Sequence, residues 1–192
     1  WKGITIENLR IVSVNFSSVK LGSYTKYLQL PTNLETLDLT ECKINIFDIK
    51  GLDLPNSLIH LYLDFNNIGD IGIIDMVFPE NLETLWIGGN NITDFGIKYI
   101  NLPSKLQEII LDNNKIKNIE KLNLPSNLKK LYLNDNCIDL NNLKNFKCPE
   151  SLVKLELFNN NISDDNISKL KLSPNLEYLD IRDNNIGIDG FL

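Results

Sequence analysis

The chain has 192 residues, of which 43% are hydrophobic, and its formal net charge is -6. This is enough apolar material for one domain, and no stretch approaches the roughly 18 consecutive apolar residues of a membrane span. The acidic balance argues against nucleic acid as a partner, because nucleic-acid-binding proteins carry a basic footprint.

A motif of the form L-P-x-x-L-x-x-L-x-L-x-x-N-x-I recurs along the chain. Its first, degenerate copy runs from Leu9 through Val12 and Val14 to Ser17 and Val19. Seven later copies follow at intervals of 24 residues, with one interval of 22, and they begin at Leu30, Leu54, Phe78, Leu102, Leu124, Cys148 and Leu172. A fixed period of this length predicts a solenoid of stacked coils.

Each copy begins with a predicted strand and a turn. The L-x-L core, as in Leu61 and Leu63, alternates with period two and predicts a short strand with its leucines pointing inward. The asparagine that follows, as in Asn66, is expected to satisfy buried backbone groups where the chain turns inward. Ser17 and Cys42 replace it in the first two copies and are weaker partners, so we expect a looser N-terminal end.

The segment that returns to the next strand has its own pattern. Apolar residues recur five and eight positions after the closing isoleucine, at Ile49 and Leu52, Ile73 and Met76, Ile97 and Ile100, Leu143 and Phe146, and Ile167 and Leu170. A gap of three residues is the spacing of one helical face. Each return segment is therefore predicted to form a turn or two of α or 3₁₀ helix.

With these copies in register, the chain resembles the leucine-rich repeat family from about Thr5 to its end. Segments such as Ile68-x-Asp70-x-Gly72 resemble the ribonuclease-inhibitor-like subclass, although 24 residues is shorter than its usual repeat. The resemblance implies an α/β fold, a curved right-handed solenoid with a parallel β-sheet on its concave face. Short α or 3₁₀ segments are expected on the convex face.

The whole chain, residues 1–192, is interpreted as a single leucine-rich repeat domain of about eight repeats, the first degenerate and the last incomplete. It begins at Trp1 and stops at Phe191 and Leu192 partway through a repeat, so we expect a fragment of a longer protein. Neither end shows the polar cap that terminal repeats require. Self-association through the ends is therefore a further expectation.

Stacking turns equal motif positions into columns of neighbours on the concave face. The position between the two strand leucines holds four apolar residues in consecutive copies, which we call the concave stripe: Tyr62, Trp86, Ile110 and Tyr132. Gly88 and Gly89 remove bulk beside Trp86, which predicts a depression with Phe65 on its flank. Exposed aromatic residues rimmed by charge are typical of binding hot spots, and cross-strand packing is the alternative explanation.

Charge is also uneven. The outward-facing positions of the strands and of the turns after them hold nine acids, which are Asp38, Glu41, Asp64, Glu108, Asp112, Asp135, Glu156, Asp180 and Asp183. They hold three bases, Lys130, Lys154 and Arg182, and the rest of the chain is neutral. An acidic front favours a basic and partly apolar protein partner, whereas acids beside strands also serve solubility. Together with the concave stripe and Phe65, the predicted contact residues are Asp38, Asp64, Glu108, Asp112, Asp135 and Glu156.

No arrangement of residues indicates catalysis, so we predict no enzyme, no cofactor and no metal site. His60 is the only histidine, and a contact role is favoured over that of a base. Asp64 and Asp112 lie two copies apart, on the order of 10 Å, which is too wide for most glycosidase carboxylate pairs. One histidine and three scattered cysteines supply no zinc cluster.

The resulting prediction is a non-catalytic protein–protein interaction module that binds a partner on its acidic concave face. Two alternatives stay open: a substrate-recognition domain of a larger enzyme or pathogen effector, and an extracellular adhesin or receptor ectodomain. Cys42, Cys137 and Cys148 are odd in number and form no paired clusters, which favours reduced thiols and a cytoplasmic location. A secreted or surface-exposed location stays open as well.

Overall fold

The computed structural model describes residues 3–8, 10–139, 141, 146–167 and 170–187. Within them, nine strands form one sheet in chain order: β1 (Ile4–Glu7), β2 (Arg10–Asn15), β3 (Thr36–Asp38), β4 (His60–Tyr62), β5 (Thr84–Trp86), β6 (Glu108–Ile110), β7 (Lys130–Tyr132), β8 (Lys154–Glu156) and β9 (Tyr178–Asp180). From β2 onward every neighbouring pair is parallel. The predicted parallel sheet is confirmed, and an antiparallel strand, β1, is added at its N-terminal edge.

The register of the strands follows the repeat from β3 onward. Leu61 pairs with Leu37 on one side and with Leu85 on the other, one period away in each direction. The prediction for the first copy was wrong by two residues, because Val14, and not Val12, pairs with Leu37. A pattern of period two fits equally well after a slip of two residues. Leu9, the predicted start of this copy, lies outside the described residues.

The inward-pointing strand residues form one continuous core through the described coils. Leu61, Leu63, Leu85 and Ile87 have no exposed surface, and the corresponding residues of the other coils from Leu37 to Leu157 are equally enclosed. Complete burial of one such side chain contributes about 1.5–3 kcal/mol. Repetition of the same burial in coil after coil makes this core the main source of stability.

The predicted asparagine ladder is present behind the strands. The Asn114 side chain donates to the carbonyl oxygens of Ile87 at 3.1 Å and Leu111 at 3.0 Å. Its amide oxygen accepts from the backbone N–H groups of Asn90 at 3.0 Å and Ile92 at 2.9 Å. Each such side chain therefore ties its own coil to the preceding one, and the same role falls to Asn66, Asn90, Asn136, Asn160 and Asn184.

The first two coils satisfy this turn differently. The thiol of Cys42, which is fully buried, donates to the carbonyl oxygen of Phe16 at 3.1 Å. Burial raises the pKa of this thiol to about 11, so it stays a protonated donor. Ser17 was predicted at the equivalent place, but it bonds Asn15 on the surface. With the corrected register, Val19 occupies the ladder position of the first coil.

Short helices form the return segments. They are a 3₁₀ helix over Gly22–Tyr27 and helices α1 (Ile46–Ile49), α2 (Gly69–Asp75), α3 (Asp94–Tyr99) and α4 (Asp164–Ile167). The buried side chains of Ile49, Ile73 and Ile97 fill the predicted inner face, whereas Leu143 lies outside the described residues. Residues 111–129 contain no helix; this is the coil that is two residues short.

The Ile-x-Asp-x-Gly segments make a contact between successive coils. The Asp70 carboxylate accepts from the backbone N–H and the hydroxyl of Thr93, both at 2.7 Å. A Cβ added at Gly96 would lie 2.5 Å from the same carboxylate. Glycine is therefore required in α3 by the close approach of α2.

The assignment of residues 1–192 to one domain stays a prediction, although one sheet and one buried cluster run through the described residues. Trp1, Phe191 and Leu192 lie outside that part of the chain. No helix within the described ranges has the length and apolarity of a membrane span.

Candidate partner-binding face

The concave stripe crosses strands β4 to β7 as one row. Tyr62 pairs with Trp86, Trp86 with Ile110, and Ile110 with Tyr132. All four side chains are half-buried, whereas the strand residue that precedes each of them is fully enclosed. The predicted row of neighbours is thus confirmed, and it lies on the face of the sheet that points away from the core.

Cross-strand packing holds the rings of the stripe in place. The ring centroids of Tyr62 and Trp86 are 4.6 Å apart, with the rings edge-to-face at 63°. The indole N–H of Trp86 donates to the carboxylate of Glu108 at 3.1 Å. Aromatic pairs of this geometry stabilise a sheet. The rings are therefore fixed before any partner arrives, while part of each remains accessible.

Phe65 stands beside the stripe in a conformation that a bulky residue rarely adopts. Its φ angle is 53°, and its side chain is 55% exposed. The equivalent turn position also has a positive φ in the other coils, where it is held by Ser18, Glu41, Gly89, Asn113, Asp135, Asn159 and Asp183. The left-handed region costs a bulky residue roughly 1–2 kcal/mol, and little burial compensates Phe65 for it.

The predicted depression at Gly88 and Gly89 is filled by the preceding coil. A Cβ added at Gly89 would lie 2.6 Å from the ring of Phe65, and one at Gly88 would lie 3.1 Å from the carboxylate of Asp64. The two glycines therefore make room for side chains of this protein, and the prediction of an open hollow was wrong.

Two carboxylates of the face are withdrawn from water. Asp64 accepts from the backbone N–H of Gly88 at 2.6 Å, and Asp112 accepts from that of Asn134 at 2.7 Å. Burial raises the pKa of both carboxyls to about 6, because the hydrogen bonds offset only part of the lost hydration. The charge of this face therefore changes just below neutral pH.

The three bases of the concave face each form a salt bridge within it. Lys130 pairs with Glu108 and Lys154 with Glu156, both at 2.9 Å, and Arg182 pairs with Asp180. Among the described residues, six acids of the face form no salt bridge, namely Asp38, Glu41, Asp64, Asp112, Asp135 and Asp183. The face therefore keeps its excess of negative charge after internal pairing.

The remaining predicted contact residues also have defined neighbours. Asp38 accepts from the backbone N–H of Thr40 at 2.9 Å, and Asp135 accepts from the Asn159 side chain at 2.7 Å. The ammonium of Lys154 lies 4.9 Å from the ring centroid of Tyr132. Acids thus lie near both ends of the stripe, and at the Tyr132 end the cation of Lys154 is also present, paired with Glu156.

A second row of exposed apolar residues lies on the opposite side of the coils. We call it the convex stripe, and it consists of Tyr24, Phe47, Ile71 and Phe95, which are 70%, 78%, 46% and 50% exposed. Sequence reasoning missed this row because it considered only the inward-facing positions of the return segments. The signal was present, since these residues recur at intervals of 23, 24 and 24.

His60 and the three cysteines have simple surroundings. Nδ1 of His60 lies 3.0 Å from the hydroxyl of Thr84, its neighbour across β4 and β5. The described residues contain no group of three or more histidine, cysteine, aspartate or glutamate side chains placed to hold a metal ion. Cys42 is buried, Cys148 is half-buried and Cys137 is exposed, all as free thiols.

Sequence models of leucine-rich repeats match several parts of the chain. A model of two leucine-rich repeat copies matches residues 80–123, and a single leucine-rich repeat model matches residues 31–45, 55–77 and 172–190. Together these segments make up more than half of the chain. No curated protein sequence matches it.

Two solved structures are similar in fold. The leucine-rich repeat domain of a Shigella effector superposes with a TM-score of 0.63 at 22% identity, over 93% of this chain and 71% of that one. The ectodomain of the Arabidopsis receptor kinase HAESA, in complex with an N-terminally extended IDA peptide hormone, gives 0.56 at 22% identity and covers 97% of this chain. This chain spans only 36% of that ectodomain. At such identity the likeness shows the fold alone.

Proposed function

Because this chain belongs to the leucine-rich repeat family, whose domains are in general non-catalytic interaction modules, we propose that it binds a protein partner on its concave face. The contact surface is the concave stripe with Phe65 and the acids around it. The partner is basic and partly apolar. Neither catalysis nor a cofactor is part of the proposal.

Phe65 is the observation that carries this proposal. A residue held at positive φ is normally one that tolerates that backbone, and in this turn the other coils use small or polar residues. An exposed phenylalanine gains little from burial in its own fold. We therefore attribute the cost of its left-handed backbone conformation to a contact with another molecule. It lies in the turn that follows Tyr62, against Gly89 of the next coil, and adds exposed aromatic surface at the end of β4.

Charge supports the choice of a basic partner. Six acids of the face have no salt bridge among the described residues, and Asp64 and Asp112 flank the stripe on the turn side. Such a field attracts cations at long range and repels acidic surfaces. The apolar stripe then supplies the short-range contact.

Quantitative affinity capture from the source organism tests the proposal. The bait is the wild-type chain, a Trp86→Ala/Tyr132→Ala variant, or the control Val77→Ala, which trims an exposed residue outside both stripes. Circular dichroism verifies that each bait is folded. Basic proteins retained by wild type and control should fall about tenfold on the double variant. Equal recovery on all three baits would show that the stripe is not the contact.

The two alternatives raised by the sequence keep this surface and differ in what adjoins the chain. A recognition domain of an enzyme or effector and an adhesin or receptor ectodomain would each present the same concave face. The reading frame around the coding segment distinguishes them. A cytoplasmic location is likewise a proposal, and detection of a glycan at Asn91 in the native host would contradict it.

A further inference from the structure

The convex stripe is an ordered surface feature. Its four residues occupy the same position in the 3₁₀ helix and in α1, α2 and α3, which pack side by side in consecutive coils. Phe47 is 78% exposed and Tyr24 70%, well beyond the half-buried rings of the concave stripe. Single exposed apolar residues are ordinary, but a contiguous row of them marks an interaction site.

Lysines flank this row at both ends. Lys26 follows Tyr24 by two residues and Lys98 follows Phe95 by three; each ammonium lies over a tyrosine ring, at 5.1 Å from the centroid of Tyr27 and 4.6 Å from that of Tyr99. Among the described residues neither lysine forms a salt bridge. The rim of the convex stripe therefore offers cations that the protein itself leaves uncompensated.

The acids of the same segments are engaged in hydrogen bonds or in a salt bridge, including Asp70, which accepts from Thr93. Asp48 is buried and accepts from the backbone N–H of Asn45, and Asp94 accepts from that of Lys117. Asp75 forms a salt bridge with Lys50 at 2.8 Å between the two ends of the row. The carboxylates of these segments are thus engaged within the protein, whereas Lys26 and Lys98 at the two ends of the row form no salt bridge among the described residues.

We propose that the convex stripe is a docking surface, independent of the concave face, for an acidic amphipathic helix of a partner protein. Neighbouring helices pack about 8–10 Å apart, so four of them present a row roughly 25–30 Å long. A helix of about 20 residues has that length. Its apolar face would cover the row, with carboxylates at its ends opposite Lys26 and Lys98. An anionic bilayer fits less well, because recognition of anionic lipids takes a cluster of roughly four to eight basic residues, whereas the row is flanked by Lys26 and Lys98.

Selection from a displayed library tests this proposal. The library consists of 20-residue amphipathic helices whose terminal polar positions vary among Glu, Lys and Gln, and the bait is the 192-residue chain. Helices bound by the wild type should be enriched about tenfold in Glu over Lys at these positions. Binding should be lost on Phe47→Ser/Phe95→Ser, and the preference should reverse on Lys26→Glu/Lys98→Glu. The control Val77→Ser should behave as wild type.

Four outcomes would overturn the proposal. The first is the absence of a Glu preference on the wild type, and the second is unchanged binding to the Phe47→Ser/Phe95→Ser variant. The third is loss of the selected helices on Trp86→Ala/Tyr132→Ala, which would move them to the concave face. The fourth is a different occupant: phosphatidylserine vesicles that sediment the wild type but not Lys26→Glu/Lys98→Glu, or a dimer in light scattering that Phe47→Ser/Phe95→Ser dissociates.

Discussion

The turn after each strand is built differently in the first two coils and in the later ones. In the later coils an asparagine such as Asn114 bonds backbone groups of two coils. The second coil uses the thiol of Cys42, and the first has Val19, which has no polar side chain. Yet Ser18 and Glu41 keep φ angles of 62° and 57°, the conformation of the later turns. The shape of the turn therefore does not require asparagine.

Backbone pairing explains why the turn persists. The backbone N–H of Ser18 donates to the backbone carbonyl of Thr40 at 2.8 Å, and the backbone N–H of Glu41 donates to the backbone carbonyl of Asp64 at 2.9 Å. These bonds run from coil to coil whatever the side chain. The asparagine adds the satisfaction of buried groups inside the turn, which is a separate contribution to stability. Stacking sets the geometry, and the ladder strengthens it.

Among single substitutions, removal of one ladder side chain should give the largest effect. Asn114→Ala leaves backbone groups of two coils without partners, so we expect a loss of about 2–3 kcal/mol in the free energy of unfolding. Urea denaturation measures it. Asn101→Ala, at an exposed position, is the control and should be near neutral. Equal midpoints for the two variants would show that the ladder adds nothing to the stacking.

Two partly desolvated carboxyls of the later coils, the buried Asp64 and the half-buried Asp112, should make stability depend on pH. Asp64 and Asp112 have a pKa of about 6 in the folded state, above the unfolded value of about 3.9. The folded state therefore binds protons that the unfolded state releases, and this contribution to stability grows as pH falls from about 7 towards 4. It is lost again as pH rises through 6.

The Asp64→Asn/Asp112→Asn variant isolates that contribution. Asparagine keeps an acceptor for the backbone N–H groups of Gly88 and Asn134, so the variant should be more stable at pH 7, by on the order of 2 kcal/mol at Asp64. The gain should be smaller at Asp112, because its second oxygen also accepts from the Asn134 side chain at 3.2 Å. The gain over wild type should shrink towards pH 4. Thermal melts across this range provide the measurement, with Asp53→Asn, an exposed carboxyl, as control. A pH-independent difference would contradict the assignment.

Extension of the ladder into the second coil should have a smaller effect. Cys42→Asn places an amide where the thiol now donates to the carbonyl oxygen of Phe16. The stronger hydrogen bonds should add about 1 kcal/mol. The exposed Cys137→Asn serves as the control in the same chemical denaturation series. Lower stability of the Cys42→Asn variant would show that the space around residue 42 fits a thiol better than an amide.

Phe65→Asn should give the smallest change in stability and the opposite change in binding. Asparagine tolerates positive φ, so relief of the backbone should add up to about 1 kcal/mol, less the packing lost on Gly89. Phe65→Leu keeps a bulky side chain in the same conformation and should show no such gain. Calorimetry measures stability, and capture of the partner measures binding. A gain in stability without any loss of partner would remove the reason for a phenylalanine here.

Most of the fold could be predicted because each motif position is tied to one physical demand. The strand leucines, the asparagines and the columns of β3 to β9 follow directly from the repeat. The prediction failed at the first copy, where Val12 and Val14 fit either register and only the pairing of β2 with β1 and β3 decides. A single degenerate copy offers no second signal to fix its phase.

The candidate site was less predictable because side-chain contacts decide its shape. The row from Tyr62 to Tyr132 followed from the period, but the filling of the glycine positions by Phe65 and Asp64 depends on rotamers that no pattern encodes. The salt bridges of Lys130 and Lys154 within the face could not be predicted from the sequence pattern either. The convex stripe, in contrast, was visible as a column and was missed because return segments were considered only for what they bury.

The coil between Leu102 and Leu124 has 22 residues in place of 24, yet Glu108 and Lys130 still pair in register. The missing length therefore comes entirely from the outer side. A coil trimmed only there is less wedge-shaped than its neighbours, so we expect the arc to straighten locally. The return segments on the convex side can in this way change the curvature of the concave face without a change in any residue that lines that face.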